Sequence, residues 1–156
     1  MINQILEFAS NEIMVLLMGA MPVMELKGAI PFGVSLGLSP IHAAILGLIG
    51  SMIPVPFLLI LLKPVFIKLR KSPYWTKVIN RITQRTLRKT KQIQKYKSLG
   101  LLLFVAIPLP TTGVWTGSIA AALLNIPLRY AFVSILVGNC IAAFIVMTLS
   151  HVAVNL

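Results

Sequence analysis

The sequence contains no aspartate, and its only carboxylates are Glu7, Glu12 and Glu25. With no paired acids, no nucleophile spaced beside a base and no clustered metal ligands, the chain lacks the parts of a hydrolase or a metalloenzyme. No enzymatic activity, cofactor or metal is expected. A single cysteine, Cys140, excludes a disulfide framework. Charged residues make up only 11% of the chain, against about 25% in soluble domains. The first twelve residues hold no lysine or arginine. A secretory signal opens with positive charge, so the N-terminus is read as part of the mature protein.

What is present is membrane sequence. Of 156 residues, 58% are hydrophobic, and the mean hydropathy is +0.94. That length allows one compact membrane bundle rather than two domains. Of the 14 basic residues, 12 lie between Lys63 and Lys97. The net charge of +11 is therefore an orientation signal rather than a nucleic-acid footprint, and it places this segment in the cytoplasm. Lys77, Arg81, Arg85 and Lys89 recur every four residues, with Trp75, Ile79 and Ile82 on another face. This pattern fits a basic amphipathic helix on the inner leaflet, with residues 68–97 among anionic lipids. An orientation signal in a solvated connector fits it as well.

Residues 41–62 and 128–149 carry long apolar runs, each able to cross a core of about 30 Å. With the basic segment inside, the first run ends and the second begins at the cytoplasm, so both termini are expected outside. Each run follows an interrupted stretch, 13–38 and 99–125. The breaks, PVMELKGAIP at 22–31 and PLPTTGVWTG at 108–117, occupy matching places in the two halves. Helix breakers free backbone groups that lipid cannot satisfy, so such segments survive only inside protein or along a cavity. A matched pair of breaks points to a transporter's central site. The expected architecture is all-α and integral to the membrane. It has two inverted repeats, each a re-entrant helical hairpin plus a transmembrane helix, with the hairpin tips meeting near the midplane. The expected divisions are 1–62 for the first repeat, 63–98 for the cytoplasmic connector and 99–156 for the second. Small residues such as Gly47, Gly50, Ser51, Ser134 and Gly138 let helices approach closely in lipid.

Glu25, set between two prolines at expected membrane depth, is the leading functional residue. A charge there costs about 2.5–3.5 kcal/mol on insertion scales. Glu25 either pairs with Lys27 or exchanges a proton as cargo moves. Residues two apart do not share a helical face, so a direct pair requires broken backbone. Lys27 is a natural grip for an anionic head group, or else it reaches to the outer interface. Thr111, Thr112, Thr116 and the Trp115 indole could form an anion cradle with exposed amides, or they could satisfy backbone freed by the break. Gly28, Pro31, Pro108, Pro110, Gly113 and Gly117 shape the two breaks and are counted with these residues as candidates for binding substrate or proton. Arg129 is either a membrane-edge anchor or a phosphate gate. His42 and His151 read as interface residues, and the seven methionines as packing.

The two motifs also resemble those of a family. ELKGAIP at 25–31 is similar to the E-L-R-G-A-I-P signature of bacterial and archaeal proteins described as putative small multidrug export proteins. FVAIPLPTTGVWTG at 104–117 resembles their second signature, P-L-P-G-T-G-A-W-T-G. Lys27 stands where arginine is usual and Thr111 where glycine is usual; lysine keeps the charge but not the bidentate fork. The family is more distantly similar to DedA-like membrane proteins. That resemblance implies facing re-entrant hairpins and transport of lipid-linked phosphates such as undecaprenyl phosphate across the cytoplasmic membrane of a prokaryote. The first functional reading is a transporter of an amphiphilic anion, with Glu25 coupling movement to protons and a homodimer enclosing the path. Two alternatives are efflux of lipophilic cations and a non-transporting protein that organises lipid or a partner.

Overall fold

A computed structural model of the chain describes residues 2–69, 96–109 and 112–154, all helix and connecting turns. The helices are α1 (Ile2–Ala20), α2 (Glu25–Ser35), α3 (Pro40–Met52), α4 (Pro54–Leu69), α5 (Lys97–Ala106), α6 (Val114–Leu123) and α7 (Leu128–Val154). The expected connector helix falls largely on residues 70–95, outside the described residues.

Two helices are long and apolar enough to cross a membrane, Pro40–Phe66 and Leu128–Ala153. Both exceed the runs marked by sequence alone. The first is jointed: Pro54 has no amide hydrogen, and the Ile53 amide closes α3 by donating to both Ile49 and Gly50 carbonyls. On the outward faces, Ile41, Ile45 and Ile49, then Phe57 and Leu61, then Val133, Val137 and Ile141 stand exposed at four-residue spacing. Such stripes would be a liability in water and are the natural surface of a helix in lipid.

The first break is shorter than its prolines suggest. It covers only residues 21–24, and α2 runs through Pro31 to Ser35. The chain reverses at Glu25, whose φ of 49° is left-handed. That conformation costs a non-glycine residue about 1–2 kcal/mol and at a cavity is a pointer to function. The result is an antiparallel pair. Glu12 of α1 meets His42 of α3 (2.9 Å), while Gly19 lies against Gly47 and Ser51. Helix α2 returns with Leu26 and Ile30 beside Gly47 and Gly33 beside Ala43. The tip of this hairpin thus stands level with the middle of the first span.

The second half is again a helical hairpin packed on a span. Lys97, at the start of α5, donates to the Leu124 carbonyl at the end of α6 (3.3 Å). Gly138 of α7 lies against Leu102 and Val105, and Gly117 against Val105 and Ile135. Both hairpins end in the same cap. Gly37 (φ 87°) and Asn125 (φ 52°) take the left-handed position. Leu38 then donates to Gly33, and Ile126 to Ala121, closing a Schellman turn in each case. Ser39 caps α3 by accepting from the His42 amide, with Pro40 as its first helical residue.

Two apolar cores result, one for each hairpin. Val15, Leu26, Ala29 and Ile30 pack with Ala142, Ala143 and Val146 of α7. Val55 and Leu59 of α4 pack with Leu101, Val105, Val114 and Ile135. Each hairpin is therefore covered by both spans, which run antiparallel. The spans meet at one buried polar contact, where Asn139 Nδ2 donates to Ser51 Oγ (2.7 Å). Hydrogen bonds of this kind in lipid average about 0.6 kcal/mol and reach about 1.7 kcal/mol. Asn139→Ala is expected to cost about 1 kcal/mol in a detergent unfolding titration, with Ser51→Ala costing no more.

Candidate functional site

The two breaks come together. The Glu25 carboxylate, on a residue only 6% exposed, accepts a hydrogen bond at Oε1 from the Trp115 amide in the first turn of α6 (3.2 Å). A helix begins with unpaired N–H groups and a partial positive charge, so it holds an anion well. The Lys27 ammonium lies 3.8 Å from Glu25 Oε2. Of the two fates open to Glu25 in the sequence, the structure contains the ion pair. It forms with α2 already helical, because the left-handed Glu25 swings its side chain out of the regular helical direction.

The tips also satisfy each other's backbone. Lys27 Nζ donates to the Leu109 carbonyl in the α5–α6 loop (2.5 Å). Trp115 Nε1 donates to the Ala20 carbonyl at the end of α1 (3.3 Å). A donor from each half thus serves a carbonyl freed by the break in the other. Neither acceptor carries a sequence signal, since a backbone carbonyl is the same at every residue.

The threonines are turned to their own loop. Thr112 Oγ1 donates to the Ile107 carbonyl (2.5 Å) and accepts from the Leu109 amide (3.1 Å). Thr116 Oγ1 accepts from the Gly113 amide (3.1 Å). Of the two readings of these hydroxyls, backbone satisfaction is the one the bonds show. Among the described residues, no buried side-chain nitrogen or oxygen lacks a hydrogen-bond partner.

Gly113 matters through the space it leaves. Its φ of 167° is extended backbone open to any residue. A β-carbon there, however, would overlap the Glu25 carboxylate, 2.5 Å from Cδ and 2.7 Å from Oε1. Beside the ion pair lies a cavity of about 390 Å³, lined by Pro22, Val23, Met24, Glu25, Lys27, Gly28, Thr112 and Thr116.

Other candidates stand elsewhere. Pro31 is exposed on α2 beyond the cavity, and Gly117 packs between α5 and α7. Pro108 is half-buried in the α5–α6 loop and does not line the cavity. Arg129 is exposed at the start of α7, at the open end of the second hairpin, and takes no part in the site. Pro110 and Thr111 lie outside the described residues. Sequence reading treated His42 as an interface residue and missed its contact with Glu12. Two ionisable residues at matching ends of adjacent apolar segments were the available signal.

The chain was compared with known proteins. A family model described as "Putative small multi-drug export protein" matches residues 25–145, from Glu25 at the start of α2 through the second break into α7. No curated protein and no solved structure matches. The match takes in α2, the first span, the whole second hairpin and most of the second span, well over half of the chain, which therefore belongs to the Putative small multi-drug export protein family.

Proposed function

We propose that this membrane protein is a small transporter of the DedA-like type, carrying an amphiphilic anion such as a polyprenyl phosphate across the cytoplasmic membrane. Glu25 exchanges a proton as the cargo moves. One observation carries the reading: a glutamate–lysine pair is held between two meeting helix breaks, beside a cavity, in a chain otherwise poor in charge. Intramembrane ionisable groups are costly and mark transport paths, and meeting breaks are where such paths bind their cargo.

The alternating-access frame is an inverted repeat of two re-entrant hairpins. The matched Schellman caps, the antiparallel spans and the glycine contacts that α1 and α5 make with their own repeat's span support it. Gly50–Ser51 and Gly138–Asn139 stand at the middle of their spans, and Ser51 bonds Asn139. Equivalent residues that touch one another belong on a pseudo-two-fold axis. The positive-inside rule orients the frame. The basic segment 68–97 faces the cytoplasm and anionic lipid, the first hairpin enters from outside, the second from inside, and both termini lie outside. The outward apolar stripes leave room for a second copy, and a homodimer completes the path.

The family description favours a second reading, export of lipophilic cations, with Glu25 as counter-charge. A cation entering this site must displace Lys27 from Glu25, which makes an anion the better cargo. The test is uptake of labelled undecaprenyl phosphate into proteoliposomes under imposed pH gradients. Transport should follow the gradient for the natural protein and fall to background in Glu25→Gln. No lipid transport, in vesicles that move a lipophilic cation, would establish the second reading instead.

A further inference from the structure

We infer that the Glu25 carboxylate is a built-in stand-in for the anionic group of the cargo, so that the site loads one oxyanion head group and one proton together. The inference rests on the transport reading and specifies how the same site works.

The place that Glu25 occupies has the makings of an oxyanion site. It offers the Trp115 amide at the start of α6, the Lys27 ammonium and room that only a glycine at 113 leaves open. The cavity shares Glu25 and Lys27 with this place, so an incoming head group meets Lys27 directly and reaches the Trp115 amide, now bonded to Glu25, as the carboxylate withdraws. Its volume is at the low end for ligand sites, fit for a head group rather than a whole lipid. Val23 and Met24 line it and are also exposed at the hairpin tip, with Val23 85% exposed. A hydrocarbon tail can leave the cavity along that apolar edge.

Charge accounting sets the order of events. The empty site is neutral, one carboxylate against one ammonium. A monoanion entering beside ionised Glu25 brings two like charges onto one set of donors and leaves a net charge at membrane depth. A proton on Glu25 removes its charge and loosens its hold on Lys27 and the Trp115 amide. The oxyanion then takes both donors, and the loaded site is again neutral. A lipophilic cation gives the opposite result: with Glu25 and Lys27 both charged, it leaves the site one positive charge in excess. No other charge offsets this among the described residues. Helix α6 carries no ionisable group, Glu12 stands about two turns from the tip in the middle of α1 and is paired with His42, and Arg129 and His151 stand at the two ends of α7. On loading, the proton passes from the open side to the carboxylate, and it leaves to solvent when the head group does.

Decyl sulfonate, a single-tailed monoanion of fixed charge, is the probe, and its binding to the purified protein is followed by calorimetry from pH 8 to pH 5.5. Affinity should rise by roughly tenfold per unit of pH lowered while Glu25 is ionised, as uptake of one proton requires. Calorimetry in buffers of different ionisation enthalpy should show that proton taken up. Glu25→Gln should bind the probe at least tenfold more tightly than the natural protein at pH 8, with a flat pH profile, and Lys27→Met should lose binding at every pH. A flat profile without proton uptake in the natural protein would overturn the inference whatever the variant does. If undecaprenyl phosphate is nevertheless transported, only the coupling has failed. Tight binding of tetraphenylphosphonium, with no binding of decyl sulfonate by any variant, would overturn the anion reading itself.

Discussion

Gly113→Ala should cut gradient-driven transport at least tenfold while leaving the hairpins folded. The backbone at Gly113 is extended and accepts alanine without strain, so the effect comes entirely from the added methyl group. That methyl falls on the Glu25 carboxylate, which must give up its hydrogen bond to the Trp115 amide and shift relative to Lys27. A charge-assisted hydrogen bond of this kind is worth about 1.5–3 kcal/mol. Losing it at a buried carboxylate should lower transport by at least tenfold, and the cost in stability should stay within a few kcal/mol. Initial rates in proteoliposomes, set beside a melting curve in detergent, separate the two effects. A Gly113→Ala protein that transports at the natural rate would show that Glu25 does not need this place during the cycle. It would remove the main support for placing cargo there.

How much of this was legible beforehand depended on whether a residue acts through its side-chain type or through its position. Glu25 and Lys27 stood out because ionisable groups are rare in apolar sequence, and the structure does pair them. The two breaks stood out because prolines and glycines cluster there. Their extent did not. Pro31 suggested a ten-residue interruption, yet α2 runs straight through it, because one missing amide hydrogen bond is tolerable in a helix packed on both α1 and α3. The threonines could serve either cargo or backbone. The deciding fact was that the Ile107 carbonyl and the Leu109 and Gly113 amides lie within reach of their hydroxyls, and sequence does not encode that. Arg129 looked like a possible gate because it is a charge at a span's edge, but the hairpin beside it turns its tip the other way. Ser51 read only as a small residue, and its bond to Asn139 depends on where two spans cross. The glycines that let the helices close up were visible as small residues. Which of them touch backbone was not.

That distinction leads to the second large effect, expected at Gly50 and Gly138. In an exposed helix, replacing glycine by alanine gains about 0.5–1 kcal/mol of propensity. Here the sign should reverse. A β-carbon at Gly50 would press on the Leu16 carbonyl of α1, coming 3.0 Å from its carbon, and one at Gly138 would stand 2.6 Å from the Leu102 carbonyl oxygen of α5. Both obstacles are helix backbone, which yields only by moving the whole helix away from its span. Overpacking of this kind costs about 1–3 kcal/mol, and each alanine variant should lose that much in a detergent unfolding titration. Gly28→Ala is the matching control. Its β-carbon meets only the Met24 side chain, Sδ at 3.0 Å and Cβ at 3.1 Å, and no backbone of a neighbouring helix, so it should lose less stability than either. Near-equal losses at Gly50 and Gly138 would mean that α1 and α5 dock on their spans through the same kind of glycine contact, as the proposed inverted repeat requires. If Gly50→Ala were tolerated and Gly138→Ala were not, the first hairpin would be free to shift on its span while the second stays fixed. Movement of the Glu25 side of the site would then have to come from α1 and α2.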